Sequence, residues 1–185
     1  MAYGTADFNT GGLKPFELAE GTAANASSVV LDINDSSQRG VVLVDGEIQP
    51  ASGGSGPTFG GFNLQNSSGT NMNLNYMGWQ SNTSGFVDYS NGTSQIQKFA
   101  FTYINTNPQG LVFQVWIKFG TNNSFPYEDV MYHYRSCGFN NGLNTFSSWR
   151  GMGKVVSSGA VTKIKVYCPF TNMHTYRIRA YSFFG

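Results

Sequence analysis

The residues that could do chemistry are few and scattered. His133 and His174 are the only histidines. His133 stands between Tyr132 and Tyr134 and His174 in the polar stretch before the last alternating run, neither in a His-Glu-x-x-His or Cys-x-x-Cys spacing that builds a metal site. No acid follows Asp129, so neither imidazole has a carboxylate close behind it in sequence. Glu128 and Asp129, closing the stretch Phe-Pro-Tyr-Glu-Asp, could share a hard cation. Successive residues of an extended chain point to opposite faces, however, and a solvated loop end accounts for the pair. Asp32, Asp35, Asp45 and Glu47 gather around one expected hairpin, of Ser28 to Ile33 and Arg39 to Ile48 with Asn34 to Gln38 as its turn, either as a calcium site or as an acidic patch that meets the C-terminal cations; the second reading is favoured. A Gly-x-Ser-x-Gly elbow is missing, no strand-to-helix setting surrounds a glycine-rich loop, and no carboxylate pair suited to glycoside hydrolysis can be assembled. The expectation is therefore no catalytic residue, no metal and no cofactor.

What remains is binding chemistry, carried by cations and aromatic rings. Residues 1–129 hold all ten acids and four bases, net −6, and residues 130–185 hold seven bases and no acid, net +7. Four of those bases fall in the last 26 residues, Ala160 to Gly185. There Ile164, Val166 and Cys168 alternate with Lys163, Lys165 and Tyr167, and Tyr176, Ile178 and Ala180 alternate with Arg177, Arg179 and Tyr181. Strict alternation marks strands with one buried face. The short connection predicts an antiparallel hairpin that puts Lys163, Lys165, Arg177 and Arg179 on one face. Like charges across a strand pair repel, so this face calls for an anionic neighbour. Either the acidic part of the same sandwich neutralises it, or an acidic surface of a partner copy does. Nucleic acid is excluded as the expected partner by the near-neutral total of +1. Among the aromatics, Trp79, Tyr127 and Trp149 are candidates for stacking on sugar rings, with Tyr89 and Trp116 nearby in kind; core or subunit-interface packing is the competing reading.

These residues must be positioned by β-structure. The chain has 185 residues, enough for one domain that buries roughly 70% of its unfolded surface. Charged residues are only 11% and aromatics reach 15%, a composition of hydroxyls, amides, glycine and rings that excludes disorder and disfavours helices. Alternating runs at Ser28 to Ile33, Arg39 to Ile48, Met72 to Trp79, Gln95 to Ile104, Leu111 to Phe119 and Asp129 to Arg135, added to the C-terminal pair, predict about ten short strands. That count implies an all-β, antiparallel two-sheet β-sandwich, jelly-roll-like, with a closed barrel as the alternative. Residues 27–185 would form the sandwich, with Pro-Ala-Ser-Gly-Gly-Ser-Gly-Pro at 50–57 as a linker or surface loop. Residues 1–26 form an N-terminal arm that shows no alternation apart from a helical turn at Pro15 to Glu20. Its Tyr3, Phe8, Leu13 and Phe16 are the expected anchors on a partner. Cys137 and Cys168 do not make a disulfide framework, and Cys168, on an apolar face, is expected as a buried thiol. No run approaches the about 20 apolar residues of a membrane span, and the first residues lack the pattern of a secretory signal, which predicts a cytoplasmic origin without glycosylation of the Asn-x-Ser/Thr sites.

The C-terminal run resembles the closing segment of tailed-bacteriophage virion proteins: Val161, Thr162, Ile164 and Val166, a polar loop, then Ser182, Phe183, Phe184 and Gly185. The segment from Phe99 to Gly120 is similar to the strand, Asn/Pro turn and long strand of the same proteins. The likeness covers Gln95 to Gly185; the bulky loop Phe-Thr-Asn-Met-His departs from the usual small-residue turn. It implies a capsid decoration protein or a tail or fibre component, made in the bacterial host cytoplasm, carried on the virion and homo-oligomeric, with a trimer favoured. A receptor- or carbohydrate-binding module of a tail fibre, taking a host surface glycan, is the alternative.

Overall fold

Alternation becomes burial strand by strand. In the computed structural model, which describes residues 14–21, 27–33, 40–50, 56–82, 85–94, 97–104, 110–119, 130–140, 145–157, 159–168 and 173–184, Leu111, Phe113, Val115 and Ile117 are buried while Val112 between them is 55% exposed. The same rule orders the other strands. In chain order these are β1 (Lys14–Gly21), β2 (Ser28–Asp32), β3 (Gly40–Pro50), β4 (Gly56–Gln65), β5 (Leu74–Asn82), β6 (Gly85–Ser94), β7 (Gln97–Ile104), β8 (Leu111–Lys118), β9 (Met131–Asn140), β10 (Thr145–Val155), β11 (Lys163–Tyr167) and β12 (Met173–Phe184). No helix occurs among the described residues.

The strands form two antiparallel sheets packed face to face, a β-sandwich, one with eight strands in the order β1-β12-β3-β8-β9-β10-β5-β6 and one with four in the order β2-β11-β4-β7. The first four positions of the large sheet and the four of the small one correspond: β1 continues into β2, β11 into β12, β3 into β4 and β7 into β8. Strands that follow one another in sequence therefore take matching positions in the two sheets. Of the linker expected at 50–57, Pro50 ends β3 and residues 56–57 begin β4; residues 51–55 lie outside the described residues. Strands β9, β10, β5 and β6 extend the large sheet further, with β7 packing over β9 and β10.

Between the layers lies an aromatic core. Phe99 stacks on Phe113 with centroids 4.4 Å apart, and Phe62 meets Tyr132 and Tyr134 edge-on at 5.7 and 5.3 Å. Such pairs add about 0.5–1.5 kcal/mol each to simple burial. Tyr134 and Tyr132 lie directly across the β9–β10 ladder from Gly151 and Gly153. Their rings occupy the space over those glycines, so a Cβ at Gly151 would fall 2.6 Å from Tyr134 Cε1. Phe113 covers Gly46, and Tyr167 covers Gly61, in the same cross-strand way. Glycine and aromatic residues are thus two halves of one packing device in this chain.

Several sequence expectations change here. β11 pairs with β2 and β4, and β12 with β1 and β3. Each already has two neighbours, so the expected β11–β12 hairpin does not form and the two strands belong to opposite sheets; β2 and β3 likewise lie in different sheets, so the hairpin expected of them does not form either. Pro15 to Glu20 is strand rather than a helical turn, because its backbone pairs with β12 and sheet pairing overrides local preference. The glycine-rich residues 136–154, outside the alternating runs expected from sequence, hold most of β10, which is flanked on both sides by β9 and β5. After β4, Asn66 to Thr70 closes a tight turn: Asn66 Oδ1 accepts from the Thr70 amide at 2.9 Å, and Gly69, at φ +82°, supplies the left-handed step.

Candidate functional site

The register places outward-facing residues of six strands in rungs across the solvent face of the large sheet. One rung reads Tyr181, Leu43, Trp116, His133, Met152 and Met77, from β12 to β5. The next reads Arg179, Asp45, Gln114, Arg135, Arg150 and Trp79. A third carries Arg177, Glu47, Val112, Cys137 and Ser148. On the opposite side of the first, Lys118, Met131 and Lys154 make a fourth. Residues that lie far apart in sequence become neighbours because strand spacing is only about 4.8 Å.

Two adjoining grooves follow these rungs. The larger, of about 1120 Å³, is lined by Met77, Met131, Met152, Trp79 and Trp116 with Lys118 and Lys154 at its margin. Met131 is 49% and Met152 51% exposed, and Met77 is 40%. With Phe146 and Val112 they put five of the seven exposed large hydrophobic residues on this one face. The smaller groove, of about 750 Å³, is lined by four arginines (Arg135, Arg150, Arg177, Arg179) together with Asp45 and Glu47. Arg135 and Arg150 border both.

Contacts within the face are specific. The His133 ring lies flat on Trp116, centroids 4.6 Å apart and 11° from parallel. Burial, and secondarily the Arg135 charge, hold His133 below the ordinary imidazole range, so it is neutral at pH 7. The Arg135 guanidinium lies 5.3 Å from the Trp116 centroid and its Nε donates to Gln114 Oε1 at 2.8 Å. Arg150 lies 5.8 Å from the Trp79 centroid. Such cation–π contacts stabilise by about 0.5–1 kcal/mol at exposed sites. Arg135 and Arg150 are direct cross-strand partners. Strands β8, β9, β10 and β5 carry no Asp or Glu at all. At Asp45, burial raises the carboxyl above its usual range more than Arg179 and Arg177 lower it, and its Oδ1 is buried with no hydrogen-bond partner.

The residues expected from sequence are distributed differently. Lys163 and Lys165 lie on the small sheet; Lys163 pairs across to Asp32 and its Nζ donates to the Ser67 carbonyl at 2.9 Å. Arg177 and Arg179 lie on the large sheet beside Glu47 and Asp45. The single face of four cations therefore does not exist: the two pairs point away from the sandwich on opposite sides. The acidic residues Asp45 and Glu47 do meet C-terminal cations, and they do so within the chain. Trp149, a candidate for sugar stacking, is 7% exposed and belongs to the core, because β10 turns its odd-numbered residues inward. Trp79 is half-buried on the outer face, as is Trp116. Tyr3, Phe8, Leu13 and Tyr127 lie outside the described residues, as do Asp35, Glu128 and Asp129; Phe16 belongs to β1, described there by its backbone alone. Among the described residues no group of three His, Cys, Asp or Glu side chains is placed to hold a metal ion. Arg135, Arg150 and the three methionines were not singled out by sequence reasoning; the signal was alternation within Met131 to Arg135 and Phe146 to Lys154, masked in the second case by glycine.

No protein-family model, no curated protein and no solved structure matches this chain.

Proposed function

We propose that this chain is a non-enzymatic structural protein of a tailed-bacteriophage virion, a capsid decoration protein or a tail or fibre component, which joins its neighbours through the outer face of the large sheet. The observation that carries the assembly role is the groove of Met77, Met131, Met152, Trp79 and Trp116, on the face of the large sheet that points away from the buried core. Trp, Met and Arg are the residue types enriched where proteins meet, and a contiguous apolar patch of this kind is costly to leave in water. The virion assignment rests on the likeness of Gln95 to Gly185 to phage structural proteins. A receptor- or carbohydrate-binding role in a tail fibre is the second reading, favoured by the arginine-lined groove next to the apolar one.

Light scattering on the purified chain tests the first reading. A trimer or larger assembly is expected, and Met131→Ser with Met152→Ser should dissociate it while shifting stability by no more than about 0.5 kcal/mol, as for other exposed substitutions. A parent protein that is monomeric alone and absent, by mass spectrometry, from particles produced by cells carrying its gene would overturn the reading.

A further inference from the structure

We infer that the methionine-lined groove of the large sheet takes residues 1–13 of a second copy of this chain, with Tyr3 and Phe8 seated among Met77, Met131 and Met152. This rests on the assembly reading of the face, and it names the segment that fills it. Charge selects the partner. Strands β5, β8, β9 and β10 carry Lys118, Arg135, Arg150 and Lys154 and neither Asp nor Glu, and among the described residues no acid lines the groove. Lys118 and Lys154 flank Met131 on one rung. Two such faces laid against each other would set bases against bases, and like-charge juxtaposition works against a pairing. The occupant is therefore a different surface, apolar enough to cover the methionines and without cations of its own. Residues 1–13, which lie outside the described residues, hold Tyr3, Phe8 and Leu13, the acid Asp7, and no Lys or Arg.

Position and length agree with charge. The register carries Lys14, the first residue of β1, through Ser182, Val42, Ile117 and Tyr132 to Gly153. The rung of Lys118, Met131 and Lys154 lies next to that line, so residues 1–13 join the sheet at the end that holds this rim of the groove. From Lys14, β1 runs away from that rim, toward Gly21 and the level of Arg177. To lie in its own groove the arm would have to reverse at Lys14 and cross β12 and β3, whereas the groove of a neighbour beyond that end of the sheet needs no reversal. The groove crosses β8, β9, β10 and β5, three strand spacings or roughly 14 Å. Tyr3 and Phe8 are five residues apart, about 16 Å of extended chain, which matches that width. Residues 9–13 add about 16 Å more to bridge the copies. The arm of one copy on the face of the next is a heterologous contact, the kind that closes into a ring.

The test joins two copies covalently. In the full chain with Cys137→Ser, which removes the exposed thiol, one protein carries Phe8→Cys and another carries Met131→Cys or Met152→Cys. Mild oxidation of the mixture should give a disulfide-linked pair of unlike chains. Val30→Cys, exposed on the outer face of the small sheet, should give none with the Phe8→Cys chain. A chain carrying both Phe8→Cys and Met152→Cys should link into dimers and larger species; an internal disulfide in a chain that stays monomeric would put the arm in its own groove and overturn the inference. By light scattering, Tyr3→Ser and Phe8→Ser should each weaken assembly by about tenfold or more, and Asp7→Lys by roughly two- to fivefold at low salt. Failure of the mixed disulfide at both methionine positions overturns the inference, as does a linkage to Val30→Cys of equal yield. If Met131→Ser with Met152→Ser dissociates the assembly while Tyr3→Ser with Phe8→Ser leaves it intact, the apolar face still joins copies and the arm falls. A parent that is monomeric at every concentration overturns the inference too, and leaves the assembly reading to its particle test.

Discussion

Replacing Gly151 with alanine would test whether cross-strand rings dictate the glycines of β10. The added Cβ would sit 2.6 Å from Cε1 and 2.9 Å from Cζ of Tyr134, and 2.9 Å from the Met77 carbonyl oxygen. Neither neighbour can withdraw easily. Met77 is held in the β5–β10 ladder, and the Tyr134 ring, 3% exposed, is wedged against Phe62 at 5.3 Å and Phe99 at 6.2 Å. Overpacking of a tight core costs about 1–3 kcal/mol, and displacing Tyr134 from two ring partners removes about 0.5–1.5 kcal/mol for each. Alanine recovers about 0.5–1 kcal/mol over glycine in a strand. The balance is a loss of roughly 2–4 kcal/mol, read as a fall of roughly 5–15 °C in the thermal midpoint for a chain of this size. Urea denaturation in a second background, Tyr134→Leu, identifies the cause. There the clash is gone, so Gly151→Ala should lose most of its penalty and the cycle should show coupling above about 1 kcal/mol. A Gly151→Ala protein within about 0.5 kcal/mol of its parent, or an equal penalty in both backgrounds, refutes the packing argument.

Asp45 should give the protein an unusual pH response. With its carboxyl raised by burial, the native state holds a proton that the unfolded chain has released. Stability contributed at this site therefore falls as pH rises through that window and is flat above it. Asp45→Asn should melt higher than the parent at pH 7, with the advantage shrinking as pH drops toward about 4; an advantage that grows on acidification contradicts this. The two cysteines should separate by reactivity, since Cys137 is exposed and burial pushes the Cys168 thiol up to about 12. A thiol-disulfide reagent should count one group in the native protein and two in denaturant; two reactive groups in the native state would contradict the buried assignment.

Period-two patterning, read from the sequence by itself, determined the all-β class, the sandwich and the inward residues of the strands that alternate cleanly. Leu111 to Ile117, Ile164 to Cys168 and Ile178 to Ala180 are buried where their alternation put them, because a pleated strand offers its side chains only two directions. The sequence also set the expectation of a binding rather than a catalytic role, which rests on its two histidines and on acids confined to the first two-thirds of the chain. Tertiary structure decided which strands are neighbours. Alternation names a face and carries no record of the strand across the ladder, so Lys163 and Lys165 could be read onto the face of Arg177 and Arg179 although they belong to opposite sheets. The same limit hid β10, where Gly151 and Gly153 have no side chain to mark the inward positions and Tyr134 and Tyr132 fill that space from the next strand. It also reversed Trp149, which a polar, glycine-rich context suggests is exposed and the register with β9 turns into the core. The candidate site shows the limit most plainly: Asp45, Gln114, Arg135, Arg150 and Trp79 come from five strands, and only the hydrogen-bonded register of a folded sheet puts them on one line.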